Sequence, residues 1–256
     1  MPEFILPPGL TWPLVLVAAA AFAAGGLIKG LAGFGLPLIA ISLLSTVIPI
    51  EIALGLNVVP PLLLNIWQSG GRREVTRTWL QFWPVLVSLP VGVAIGAGTV
   101  AQADPRWLVG AVGAVTVFFC VSHIAGLRLH FASAHVKPAG FMVGGTAGFL
   151  GAFTSVAGPP LIMYLVAAKT DPETFKTSLG LFFVLVGLLL IAAFFSVGFL
   201  TPGLAVLAAL MTLPAGAGMW LGRRLARGLH PDAFRTAALI VLCVLGLNLL
   251  RRAVFP

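Results

Sequence analysis

One lysine, two glycine- and proline-rich turns and a few hydroxyl and amide side chains are the groups in this chain that could do chemistry, and all lie in apolar surroundings. Lys29 is the only Lys or Arg deep inside an apolar stretch. An ionisable group in such a place is costly and is by default a functional candidate. It precedes Gly33, Phe34, Gly35 and Pro37 in the segment GLAGFGLP, and a second segment, SVAGPP, brings Gly158, Pro159 and Pro160 just after Thr154 and Ser155. Glycine and proline at this density end a helix. Where a helix restarts, its first N–H groups and partial positive charge suit an anion, so half-helix N-termini are expected at 35–38 and 158–161. Ala152 stands in the second half where Lys29 stands in the first, which gives the expected site a cationic side and a hydroxyl side. Asn57 and Ser178, on the spans after the two breaks, complete the expected substrate-binding set. Plainer roles compete: close helix packing for the glycines, snorkelling for Lys29 and helix-to-helix hydrogen bonding for Asn57.

The elements that must position these groups are repeated. Gly35 and Pro37 recur as Gly158 and Pro160, Leu54, Gly55 and Leu56 as Leu179, Gly180 and Leu181, Pro90 and Gly92 as Pro214 and Gly216, Cys120 as Cys243, and Arg128 as Arg251, always about 123 to 125 residues apart. Two such halves in a membrane chain are the signature of a transporter with a site between them. The expected organisation is an N-terminal extracytoplasmic segment (1–13), repeat 1 (14–128), a cytoplasmic linker (129–137) and repeat 2 (138–256).

Composition places the chain in a bilayer. It is 59% hydrophobic and 9% charged, with 30 Gly and 19 Pro, whereas soluble domains carry about 25% charged residues. Uncharged stretches at 79–103 and 107–127 exceed the roughly 20 helical residues needed to cross. The net charge of +8 comes from clusters at the ends of apolar runs, such as Arg72, Arg73, Arg77 and Arg223, Arg224, Arg227. That is the positive-inside pattern, not a nucleic-acid stripe. The first 11 residues hold Glu3 and no Lys or Arg, so no cleaved signal peptide is expected. Cys120 and Cys243 lie mid-helix and read as packing residues, and neither they nor the four histidines have metal-ligand spacing.

Each half reads as a broken stretch (14–49 and 139–168) followed by three spans, at 52–67, 79–101 and 107–127, then at 177–200, 204–221 and 233–250. In the second broken stretch each arm is about 15 residues, roughly 22 Å, short of the hydrocarbon core's roughly 30 Å, which favours a hairpin with its turn near the midplane. The longer first stretch leaves two tilted full crossings open. An odd number of remaining crossings per half makes the halves inverted. With Arg72, Arg73 and Arg77 inside, eleven of the 15 Lys and Arg lie on the cytoplasmic side, against Arg106, Arg251 and Arg252 outside.

The motif GLAGFGLPL, followed by an Ala-Leu-Gly segment and repeated with GPP and SLGL, resembles the TauE/SafE family, also called the sulfite exporter or TSUP family, over essentially the whole chain. The resemblance implies a carrier of the bacterial inner membrane for small anions, including sulfite and organosulfonates. The expected protein is therefore an all-α polytopic secondary transporter, a probable exporter working by alternating access. A channel or facilitator, or an uptake carrier for a sulfur-containing or carboxylate anion, is the alternative. No GxxxxGK[ST] motif is present, so ATP is not expected as the direct energy source. No enzyme activity, cofactor, metal or nucleic acid is expected; the partners are the small anion and the bilayer, with a homo-oligomer left open.

Overall fold

A computed structural model describes residues 10–33, 35–68, 72–125, 136–226 and 231–255. Among them are eleven α-helices and no strand. The first half holds α1 (Trp12–Ala32), α2 (Leu36–Leu44), α3 (Ile50–Leu56), α4 (Val59–Gln68), α5 (Arg72–Val100) and α6 (Pro105–Ile124). The second holds α7 (Val136–Thr154), α8 (Gly158–Ala167), α9 (Pro172–Ser196), α10 (Pro202–Leu225) and α11 (Pro231–Val254). Six stretches of the described residues are long and apolar enough to cross a membrane: Trp12–Ala32, Ile50–Trp67, Val75–Val100, Pro105–Ile124, Pro172–Ser196 and Pro202–Leu225. The protein is an all-α, multi-pass membrane protein.

Both broken stretches are hairpins with unequal arms, which corrects the expectation of two similar arms. The first arms, α1 with 21 residues and α7 with 19, are about 31 and 28 Å long. The second arms, α2 with 9 residues and α8 with 10, are about 14 and 15 Å, roughly half a hydrocarbon core. Two full crossings in the first stretch are thereby ruled out. The turn between α1 and α2 needs Gly35, whose φ of 100° is left-handed and costs an L side chain strain.

Two further boundaries differ from expectation. The span at 52–67 is two helices, broken at Asn57 and Val58. Pro60 and Pro61 explain why: in mid-helix each would remove a hydrogen bond, but in the first turn of α4 the missing N–H costs nothing. The basic segment between the expected spans at 52–67 and 79–101 is the start of α5, which bends at Phe82 (φ −121°, ψ 23°), two residues before Pro84.

Packing crosses between the halves. α1 lies along α10 and α5 along α7, while α6 pairs with α11 and α4 with α9. Exchanging each first-half element for its second-half counterpart leaves this pattern unchanged. Gly26 faces Ala215 and Gly30 faces Met219 and Gly222, so α1 and α10 run parallel. Gly144 faces Val85 and Gly148 faces Leu89, so α5 and α7 do too. α6 and α11 instead run antiparallel, with Gly110 beside Ala253, Gly113 beside Leu250 and Gly246 beside Val117. That register puts Cys120 opposite its counterpart Cys243, in keeping with a packing role. Glycine pairs four residues apart, such as Gly26 with Gly30 and Gly218 with Gly222, let the backbones touch where a methyl would meet a carbonyl.

Charge is divided between the two ends of the bundle. At one end the Arg223 guanidinium lies 5.4 Å over the Trp67 ring, and the hydroxyls of Thr78 and Ser178 are 3.1 Å apart. Asp171 caps α9 there by accepting from the Thr174 N–H at 3.0 Å. That bond first, and Arg77 to a lesser degree, hold its carboxyl below the usual range. At the other end Arg252 donates to the Ser45 carbonyl at 3.3 Å and Arg251 to the Asn248 amide at 3.2 Å. Arg251 and Arg252, two of the three arginines expected outside, thus have structural partners.

Gly26→Ala should lower the thermal midpoint of the detergent-solubilised protein by an amount equivalent to about 1–3 kcal/mol, because the added methyl overlaps the Ala215 carbonyl. Gly98→Ala, which meets nothing within 4 Å, should leave it unchanged or raise it slightly.

Candidate functional site

Breaking a helix inside a bilayer frees backbone N–H and C=O groups that lipid cannot satisfy, so a break must face protein or a wet cavity. Here the α1–α2 turn, the α7–α8 turn and the α3–α4 break all border one cavity of about 60 Å³. That is room for on the order of five water molecules, or for a small anion. Its walls come from Gly35, Pro37 and Leu38 at the start of α2, from residues 155–159 at the start of α8, and from Asn57, Val58, Pro61 and Asn65. α9 closes it with Phe183, Val186, Gly187 and Leu190.

Both short arms aim their N-termini at this space. Gly35 caps α2 and Ala157 precedes α8, each helix carrying proline in its first turn. Proline fixes the helical φ and removes donors, leaving the N–H groups of Leu36 and Leu38 to head α2 and that of Gly158 to head α8. The α7–α8 turn is held by Thr154, whose hydroxyl donates to the Leu150 carbonyl at 2.7 Å and accepts from the Val156 N–H at 3.2 Å. Ser155 has a left-handed φ of 58°, a strained conformation for a residue other than glycine. Its hydroxyl donates to the Leu54 carbonyl at 3.4 Å, joining the second hairpin to the end of α3.

Lys29 is 3% exposed and lines the cavity. Its ammonium donates to Asn65 Oδ1 at 2.7 Å, across 36 positions of sequence. It lies 17 residues after Trp12, about 25 Å along α1, and Gly30 packs at the level of Gly222 beside Arg223. The lysine therefore sits toward the basic end of the bundle rather than at the midplane, yet protein covers it and it does not snorkel. Among the described lining residues it carries the one formal charge, and no carboxylate faces it across the cavity. Among the described residues only a neutral amide is bound to the cation, so the cavity is electropositive.

At the α3–α4 break, Asn57 is 2% exposed. Its Nδ2 donates to the Pro37 carbonyl at 3.0 Å, and its Oδ1 has no partner among the described residues. Of the sequence-predicted residues, the structure brings Lys29, Gly35, Asn57, Ser155, Gly158 and Pro159 together around the cavity. Gly33, Thr154 and Ser178 are not among its lining residues. Gly33 shapes the turn with a φ of 84°, Thr154 braces the second turn, and Ser178 is spent on Thr78. Phe34 lies outside the described residues. Phe119 and the Val156–Ala157 segment, which also line the cavity, are ordinary apolar residues with no sequence signal.

A helical membrane protein with interlocked halves and one electropositive cavity at its helix breaks has the build of a transporter. The chain belongs to the sulfite exporter TauE/SafE family, whose model matches residues 17–249. None of the curated proteins and none of the solved structures matches it.

If the cavity is open to water, Gly158→Cys in a Cys120→Ala, Cys243→Ala background should react with a membrane-impermeant thiol reagent from one face and be protected by the transported anion. Inertness from both faces would contradict a wet cavity.

Proposed function

We propose that this transporter moves a small oxyanion, sulfite or an organosulfonate, across the bacterial inner membrane as a secondary carrier. The observation that carries this reading is Lys29: a buried ammonium that, among the described residues, is paired only with a neutral amide and faces a cavity lined by no carboxylate. A buried cation is expensive unless a counter-charge joins it. The N-termini of α2 and α8 add donors and partial positive charge at the same cavity.

The mechanism we infer is alternating access between two inverted repeats, 14–128 and 138–256, joined by the linker 129–137. The antiparallel meeting of α6 with α11, its counterpart, supports inversion, because equivalent helices running oppositely are related by an axis in the membrane plane. Parallel α1–α10 and α5–α7 pairs give each half a surface on the other, along which one could rock. A membrane potential negative inside favours exit of an anion by about 2.3 kcal/mol per charge at 100 mV, which allows export to run as a uniport against gradients smaller than that.

Lys29→Ala should lower the initial rate of sulfite flux in proteoliposomes about tenfold or more, as expected when one partner of a buried charge pair is removed. Lys29→Arg should retain more activity than Lys29→Ala. Thermal stability without anion should be unchanged or higher in Lys29→Ala, since an uncompensated charge is removed. Wild-type rates in a folded Lys29→Ala protein would contradict the assignment.

A further inference from the structure

Among the described residues that line the cavity, Asn57 carries the one buried side-chain atom without a partner, and the anion reading leaves it unexplained. Its side chain is 98% buried (2% exposed) and lines the cavity. The bond from Nδ2 to the Pro37 carbonyl fixes the amide plane, leaving Oδ1 an acceptor without a partner among the described residues. A carbonyl oxygen there cannot bind the anionic end of a substrate, because two acceptors repel. It can bind an O–H or N–H donor, and a buried acceptor left unmade is costly.

Distance separates this acceptor from the cation. Asn65, which holds Lys29, lies six residues into α4 from Val59, about 9 Å of helix rise beyond the break at Asn57. A bare oxyanion reaches one pole of such a cavity. A two-carbon chain with an anion at one end and a donor at the other, plus a hydrogen bond of about 2.8 Å at each end, is on the scale of both poles.

We propose that Asn57 Oδ1 is a second subsite, which selects anions carrying a hydrogen-bond donor at the end remote from the charge: hydroxy- or ammonio-alkane sulfonates and the matching carboxylates. This rests on the reading of the cavity as an anion site. The two poles divide the work. Lys29 and the helix N-termini take the charge, and Asn57 rejects chains that end in a methyl group.

The test uses isosteric pairs that differ in OH against CH3: isethionate with propane-1-sulfonate, and 3-hydroxypropionate with butyrate. Titration calorimetry on the purified full chain, with sulfite as a reference anion, reads their affinities. The donor-bearing member of at least one pair should bind about tenfold more tightly, in line with the cost of an unmade buried hydrogen bond. In Asn57→Leu that advantage should shrink to within twofold, while sulfite affinity changes less. The inference is overturned if neither pair shows the advantage in the wild type, or if a folded Asn57→Leu protein keeps it. Should Asn57→Leu fail to fold, the wild-type comparison decides alone. If sulfite binds without any donor advantage, only the Asn57 subsite falls; if no anion binds at all, the anion site falls with it.

Discussion

Backbone that leaves the helix inside a bilayer has no solvent to bond to, and the rest of this architecture follows from satisfying it. Three breaks occur in the described residues, after α1, after α3 and after α7, and all three are gathered at one place. Gathering them requires that the short arms α2 and α8, each about half a membrane in length, be enclosed by longer helices from both halves. α1, α6 and α11 enclose α2, and α7 and α9 enclose α8, while the cross-half pairs α1–α10 and α5–α7 tie the halves together. They come close enough because glycines stand four residues apart on the contacting faces. The cavity is what remains where three helix ends meet and side chains do not fill the gap.

The same constraint sets the electrostatics. Half-helices that begin at the cavity turn their positive ends into it, and Lys29 adds a full charge covered by protein. Asn65 satisfies one ammonium hydrogen without cancelling the charge. The result is a site whose counter-charge must come from elsewhere, which is the condition a carrier for anions has to meet. The two half-sites are not copies: Lys29 has Ala152 as its counterpart, and the break at Asn57 has an unbroken α9 opposite. A substrate in this cavity therefore meets different groups on its two sides although the scaffold is duplicated.

Much of this was written in the sequence, for physical reasons that also explain the omissions. The hairpin turns were legible because only glycine and proline break a helix so sharply, and Lys29 because a lone cation stands out in apolar sequence. Asn65 as its partner was not legible, since contact across 36 residues depends on how α1 meets α4. The α3–α4 break had a signal in Pro60 and Pro61 following Asn57, but a paired proline reads equally as a kink within one helix. Thr154 and Ser178 carry the right chemistry at nearby positions. Their hydroxyls are nonetheless committed to Leu150 and Thr78, because a buried hydroxyl takes the first partner within reach. The close-packing glycines lie within helices, where composition alone does not say which neighbour they admit.

Whether the cavity at the helix breaks holds an anion against Lys29 is tested most directly by anomalous scattering from the protein bound to selenite, a heavier analogue of sulfite. A selenium peak within hydrogen-bond reach of the Lys29 ammonium, bordered by the N-termini of α2 and α8, is the predicted result. An empty cavity at saturating selenite, or peaks confined to the exposed arginines at the ends of the bundle, would contradict it.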